Sequence, residues 1–521
     1  MSFAFSSIPP NLISDSLGKF LKGDFDSIYP PQTDTQLKKI QSELQSIWDT
    51  RKRSILYEVL QKQHQSLKPT QQQELNLQAL RDSNALTVTT GQQIHPFLGP
   101  AFVWAKVTST ILKSKELSQN LGIPVVPVFW MATEDHDFEE ISTVPFLGKE
   151  YRWIAPHGGP VGNLDTQGIA FILEQMKSDF QHDIKVLDYL NQFEGIYGKG
   201  ESLTEASRKL IHKLFGESGL LIVDPNEAIW KKHTEDIWLR ELEDHPFESL
   251  SIQADKMKEL GLKAPITPRQ TSMFYYGNGL RLRLDKQQNG MFQTANGEFI
   301  WNKNQLKDEI TAYPERFSAN ALLRPAYQQR ILPNLMYIGG PSECLYWLQV
   351  PNLIVIHKGV VPVIQLRILM HLSTPAIEKK LLNFPWDKMD WFDSEDSLLQ
   401  RLTENEFGNL SLTHQMLKLK EQFESIWESL YQLKHPKLRE IKKEHQAVLK
   451  SLQNTHNDFI KDGFDTHIAP KVKQLKALKN NVFNEKSPQE RKLFWMEWDF
   501  KLGGFPQIEN CSDSYLWFTA K

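Results

Sequence analysis

The sequence predicts an α/β protein built on a parallel, doubly wound sheet, and three observations lead there. First, "NALTVTTGQQ" (84–93), "GPAFVWAKVTSTILKSKELSQNLG" (99–122) and "IPVVPVFWMA" (123–132) read as strand, helix, strand, a unit long enough to join parallel strands through a crossover. Second, three later apolar runs, "GLLIVDP" (219–225), "NLMYIGG" (334–340) and "GVVPVIQLR" (359–367), repeat the strand pattern, and the helix-patterned "LTEASRKLIHKLFGES" (203–218) precedes the first of them. Third, several strands run into polar or Gly-containing loops, where open parallel sheets bind ligands.

Taken in chain order, residues 1–35 read as a short helix with Pro-rich flanks, and Leu37, Ile40, Leu44 and Ile47 give 35–65 helical spacing. The turn-rich stretches 146–168 and 281–303 read as β hairpins, within insertions expected near 146–200 and 245–316. The sheet domain with its insertions is expected to occupy 1–385, and a helical region 386–521. In that region Met416, Leu419, Phe423, Ile426, Leu430 and Leu433 alternate spacings of three and four. Leu438, Ile441, His445, Val448, Leu452, Thr455 and Phe459 do the same, and His435–Pro436 lies between the two runs. Proline starts helices but breaks their interiors, so the pattern predicts two antiparallel helices forming a coiled-coil hairpin over about 410–480. A helical bundle packed on the core would show similar spacing.

With 521 residues, two or three structural units are expected. A net charge of −3 exerts no global pull on nucleic acid or anionic membranes. The two cysteines, Cys344 and Cys511, argue against a disulfide scaffold and a cysteine-built zinc site. Cys344 sits in an apolar run and reads as a buried thiol. The N-terminal stretch has no basic segment followed by a long apolar run, and no segment is apolar enough to span a bilayer, so a cytoplasmic protein is expected.

The chemistry concentrates in three loops. "TEDHDFEEI" (133–141) packs five carboxylates around His136, directly after a strand. Such residues cap a helix start in one reading and form a polar binding edge in the other. A metal site is disfavoured, because Asp135 and Asp137 would point away from His136 in an extended chain. "TTGQQIHPFLGP" (89–100) opens a helix whose N–H groups could take an anion, although no Lys–Ser/Thr follows its glycine as in a P-loop. "YIGGPSECLYW" (337–347) repeats the strand, turn, helix form. Arg324, in "LLRPAYQQRILP" (322–333), is either a clamp for a carboxylate or phosphate or a surface ion-pair partner.

Together these stretches resemble a known family. "TGQQ" with the later Gly–Pro (90–100), "PVVPVFWMATEDHDFEEI" (124–141), "FSANALLRPAYQQRILPNLMYIGGPSECLYW" (317–347) and "SPQER" (487–491) follow its order, and the resemblance covers about residues 10–495. The family is the bacillithiol synthases, the cysteine ligases of the BshC type. Ser342 stands where the family pattern has a glycine, and neither a HIGH nor a KMSKS signature is present. The resemblance implies a Rossmann-like core similar to class I aminoacyl-tRNA synthetases, with connecting-peptide insertions and a C-terminal coiled coil that makes a homodimer. It implies a ligase that forms an amide between cysteine and the amine of glucosaminyl-malate, the last step of bacillithiol biosynthesis, with ATP or ADP as the candidate nucleotide. Asp135, His136 and Asp137 are then the expected catalytic group, with His136 as proton acceptor. Thr90, Gly91, Gln92, Gln93, Glu134, Arg324, Gln328, Gly339, Gly340, Glu343, Tyr346 and Trp347 are expected to bind substrate. Two alternatives stay open. A synthetase-like RNA-binding protein would use the basic "KLREIKK" (437–443) and "KVKQLKALK" (471–479), and a non-catalytic scaffold would only dimerise.

Overall fold

In the computed structural model, all residues are described except 1, 6–7, 10–11, 83, 157, 408–411, 433–436, 462–467, 482–487, 506–514 and 521. Cys511 and the His435–Pro436 turn lie outside the described residues. The chain divides into two compact units. One comprises 1–8, 13–372 and 490–521, and the other 9–12 and 373–489. Residues 490–521 therefore belong with the sheet unit, where the sequence reading grouped them with the C-terminal helices. The reason is pairing: strand Tyr515–Thr519 lies antiparallel to Ser2–Phe5, an N-terminal strand that the helical reading of 1–35 omitted.

The centre of the first unit is a five-stranded parallel sheet. Its strands are β1 (Leu86–Gln92), β2 (Val125–Met131), β3 (Leu221–Val223), β4 (Asn334–Gly339) and β5 (Val363–Leu366). Their order is β5-β4-β1-β2-β3, and every neighbouring pair is parallel. This is the Rossmann-like order, with its reversal between β1 and β4. All seven residues of β2 and all six of β4 are buried, which accounts for their continuous apolar runs. Helix α1 (Ala101–Leu121) joins β1 to β2 and ends at Gly122 in the left-handed region, φ 65°.

The second insertion forms a five-stranded sheet of its own from Met273–Gly277, Leu280–Lys286, Phe292–Thr294, Ile300–Trp301 and Phe317–Ala319, with antiparallel neighbours throughout. In the first insertion, the hairpin Thr143–Phe146/Lys149–Arg152 leads into helices Gln167–Asp179 and Ile184–Asn191. The second unit contains helices Leu412–Gln432 and Leu438–Lys461, which meet where the His445 ring stacks 5.1 Å from Trp427 and 6.1 Å from Phe423.

Candidate active site

A cavity of about 530 Å³ opens at the carboxyl end of the sheet, at the reversal of strand order. The strand ends supply Gly91, Gln92 and Gln93 from β1, Trp130 and the loop Glu134–Asp135–His136 from β2, and Tyr337 with Glu343 from β4 and its following helix. The second insertion closes the opposite side with Arg269, Phe274, Arg281, Arg283 and Asn320, and Arg324 follows it.

The acidic loop is held by two buried cations. Lys231, fully buried, pairs with Glu134 and donates to the Phe317 carbonyl at 2.6 Å. Its ammonium also lies over the rings of Trp238 and Tyr327, at 5.2 and 5.4 Å. Arg281 donates through Nε to Ser318 Oγ (3.0 Å) and through Nη2 to the Ala319 carbonyl (2.8 Å). Its Nη1 reaches His136 Nδ1 at 3.1 Å and Asp135 at 3.7 Å. A guanidinium can only donate, so His136 Nδ1 accepts in this contact. Burial pushes the Asp135 carboxyl up, but the His136 ring 3.5 Å away, the charge of Arg281 and the His136 backbone N–H (2.7 Å) outweigh it and leave the group below the usual carboxylate range.

Behind the switch point, Lys106 of α1 pairs with Glu343 and donates to Gly91 O (2.6 Å) and Gln92 Oε1 (3.0 Å). Burial lowers this ammonium from its ordinary value, opposed by Glu343. Burial also raises the Glu343 carboxyl, but Lys106, the Tyr337 hydroxyl (2.6 Å) and the Gly340 N–H (2.8 Å) reverse that and hold it low. Arg324 donates to Gln328 Oε1 (2.9 Å) and to the Tyr346 hydroxyl (3.1 Å), with its guanidinium 5.1 Å from the Tyr337 ring centre.

Of the residues expected from sequence, Gly91, Gln92, Gln93, Glu134, Asp135, His136, Arg324 and Glu343 line this cavity. Seven others stand behind the lining, for identifiable reasons. The Thr90 hydroxyl is buried and donates to Ile338 O at 2.8 Å, tying β1 to β4. Asp137 caps the one-turn helix Phe138–Ile141 by accepting the Glu140 N–H, so the helix-cap reading holds for this carboxylate. Gln328 and Tyr346 brace Arg324, Trp347 stacks on Tyr337 at 4.4 Å, and Gly339 and Gly340 form the turn that Glu343 caps.

The loop after β1 is not an open anion site. The Ala101 N–H is taken by Leu493 O and the Phe97 N–H by the Tyr197 hydroxyl. Phe97, Leu98 and Gly99 all have positive φ, and a Cβ at Gly99 would come within 2.6 Å of His95. Lys106, Lys231 and Arg281 were missed by sequence reasoning. Lys106 did carry a signal, a lone charge among Val103, Trp104, Ala105 and Val107, and lysine is almost never fully buried unless paired.

Among the described residues, no group of His, Cys, Asp and Glu is arranged to hold a metal ion, and no helix is long and apolar enough to cross a membrane. The model of the bacillithiol biosynthesis BshC N-terminal Rossmann-like domain matches residues 20–368, a span ending just after β5. A chain from Flavobacterium johnsoniae is 31% identical over 510 residues, covering 96% of this chain and 95% of that one, and bears the name "Putative cysteine ligase BshC". Chains of the same name from Flavobacterium psychrophilum (30% identical, 96% of this chain and 94% of that one) and Christiangramia forsetii (28%, 89% and 87%) are also similar. The family match ends with the sheet that builds the cavity, and the relatives align over nearly the whole chain: this protein belongs to the bacillithiol biosynthesis BshC family.

Proposed function

We propose that the protein joins the carboxyl group of cysteine to the amine of glucosaminyl-malate, forming the amide that completes bacillithiol. The observation that carries this reading is the mixed lining of the cavity, in which Arg269, Arg281, Arg283 and Arg324 face Glu134, Asp135 and Glu343. The two substrates together bring carboxylates, an amine and sugar hydroxyls, and this lining offers a partner to each. Carboxylates suit Arg324 and the arginines of the insertion. The ammonium and hydroxyls suit Glu134 and Asp135.

Amide formation requires an activated carboxyl and a neutral amine. ATP, when bound, would supply the activation, and the same arginines suit phosphate oxygens. The chain's own part is positioning and proton transfer. His136 acts as a hydrogen-bond donor through Nε2, because Arg281 already occupies the nitrogen that a proton acceptor would need. The proton lost by the amine is relayed to solvent past Asp135, the more open of the two loop carboxylates, with a side chain 38% exposed against 10% for Glu134; His136 and Arg281 hold that carboxylate too acidic to keep the proton. Placement in the cytoplasm accords with such small-molecule chemistry. Homodimerisation through the helix pair Leu412–Gln432/Leu438–Lys461 accords with its exposed Leu419, Ile426, Tyr431 and Val448.

The test is genetic and chemical. A bacillithiol-producing strain lacking this protein should accumulate glucosaminyl-malate and lose the thiol, and a plasmid copy should restore it. Arg281→Ala and Arg324→Ala copies should not restore it while remaining folded. Normal bacillithiol in the deletion strain would end the ligase reading.

A further inference from the structure

We infer that Lys231, which lies outside the cavity, is a positioning residue that keeps Glu134 ionised and aimed into the cavity as the recognition group for the substrate amine. The amine-recognition half of this inference rests on the proposed ligase reading; the charge-pairing half does not.

The geometry is specific. Lys231 is fully buried on the short helix Ala228–His233, and two acceptors take its protons: the Glu134 carboxylate and the Phe317 carbonyl. The strand Phe317–Ala319 thus carries both cations that bracket the acidic loop, Lys231 through the Phe317 carbonyl and Arg281 through Ser318 and Ala319. Glu134 itself is almost buried yet contributes to the cavity wall. Neighbouring carboxylates work against its charge. Asp224 lies on the β3 side, bonded to the Thr133 hydroxyl at 2.5 Å, and Asp135 is the next residue in the loop. From the insertion side the Tyr276 hydroxyl donates to Glu134 Oε1 at 3.5 Å, a long bond that supports the charge only weakly, and Tyr327 lies under Lys231. Arg281 is the other nearby cation, but its hydrogen bonds go to His136, Ser318 and Ala319. Without the ammonium of Lys231, a carboxyl in this setting would take up a proton at higher pH. A neutral Glu134 could no longer balance the charge of an ammonium. Burial lowers the Lys231 ammonium from its ordinary value, with Glu134 the main opposing group and Asp224 a lesser one.

Two measurements on the full-length protein test the two halves. The first is urea unfolding of wild type, Lys231→Met, Lys231→Arg and Glu134→Gln/Lys231→Met at pH 5 and pH 8. The loss in Lys231→Met should be at least tenfold larger in the unfolding constant at pH 8 than at pH 5, because protonation relieves the orphaned carboxylate. The double variant should recover most of the pH 8 loss. A loss that ignores pH and persists in the double variant overturns the pairing. The second is calorimetric binding of glucosaminyl-malate and its N-acetylated form between pH 5 and 8. Wild type should prefer the free amine. Lys231→Met should lose that preference at least tenfold and shift the acid limb of binding up by at least one pH unit. Lys231→Arg should retain both, and the N-acetyl compound should bind all variants alike. An unchanged amine preference in Lys231→Met overturns the positioning role. If wild type binds neither compound, the ligase reading and the amine-recognition role fail together, while the unfolding result still decides the pairing.

Discussion

Replacing Lys106 by methionine should open the sheet locally and by a predictable amount. The ammonium is buried, with a side chain 2% exposed, and makes one ion pair with Glu343 and two hydrogen bonds, to Gly91 O and Gln92 Oε1. Methionine fills the aliphatic volume but leaves Glu343, with a side chain 20% exposed, without its cation. Breaking one side of a buried pair costs about 3–5 kcal/mol, far above the ~0–1 kcal/mol of a surface pair. The Tyr337 hydroxyl and the Gly340 N–H stay bonded to Glu343 and favour the lower end of that range. At ~1.4 kcal/mol per decade, amide hydrogens of β1 (Leu86–Gln92) should exchange about 10²- to 10³-fold faster in native-state mass-spectrometric measurements. Lys106→Met/Glu343→Gln should recover most of this, since neither partner is then left charged. Acceleration below about tenfold, or no recovery in the double variant, would refute the view of Lys106 as the charge that holds the switch point together.

Asp135→Asn should abolish rescue of bacillithiol production, whereas Asp137→Ala should cost about 1 kcal/mol of stability, the value of a helix cap, and leave rescue intact. Unfolding of the sheet unit should become easier in acid. Burial lowers His64 and His95 from 6.5 to about 4, so their neutral forms stabilise the fold fully above about pH 6.5, and that contribution falls as pH drops towards 4. At pH 5 the loss should reach roughly 2 kcal/mol for each ring, read by urea unfolding. Glu490→Gln should destabilise by several kcal/mol, about 3–5 for a broken buried pair, because Glu490 accepts two bonds from Arg367 (3.0 and 2.5 Å) and one from the Met370 N–H (2.7 Å). A shift in thermal midpoint no larger than that of Lys113→Gln, which breaks a partly exposed i,i+3 pair, would contradict this. Deleting 410–480 should convert a dimer to a monomer in sedimentation analysis if the hairpin joins two copies.

The parallel sheet was legible in the sequence because its signals are local. Continuous apolar runs mark strands buried on both faces, and a helix of the right length separates β1 from β2. The loops that follow these strands are equally local, so Gln92, Glu134, His136 and Glu343 could be placed at one sheet edge before any coordinates. What no local pattern could decide is which of these side chains face the cavity. Asp135 and Asp137 look equivalent in "TEDHDFEEI", yet one meets Arg281 and the other caps a helical turn, a difference set by how the chain bends after Met131. The pairing of Ser2–Phe5 with Tyr515–Thr519 joins the chain's two ends, a long-range contact that periodicity cannot encode. The cations Lys106, Lys231 and Arg281 lie far along the chain from the carboxylates and rings they hold: Glu343, Glu134 and His136. The sequence alone therefore determined the sheet and the edge where the site lies. Tertiary packing decided the charge partners, because a buried carboxylate needs a cation and only the folded chain brings one to it.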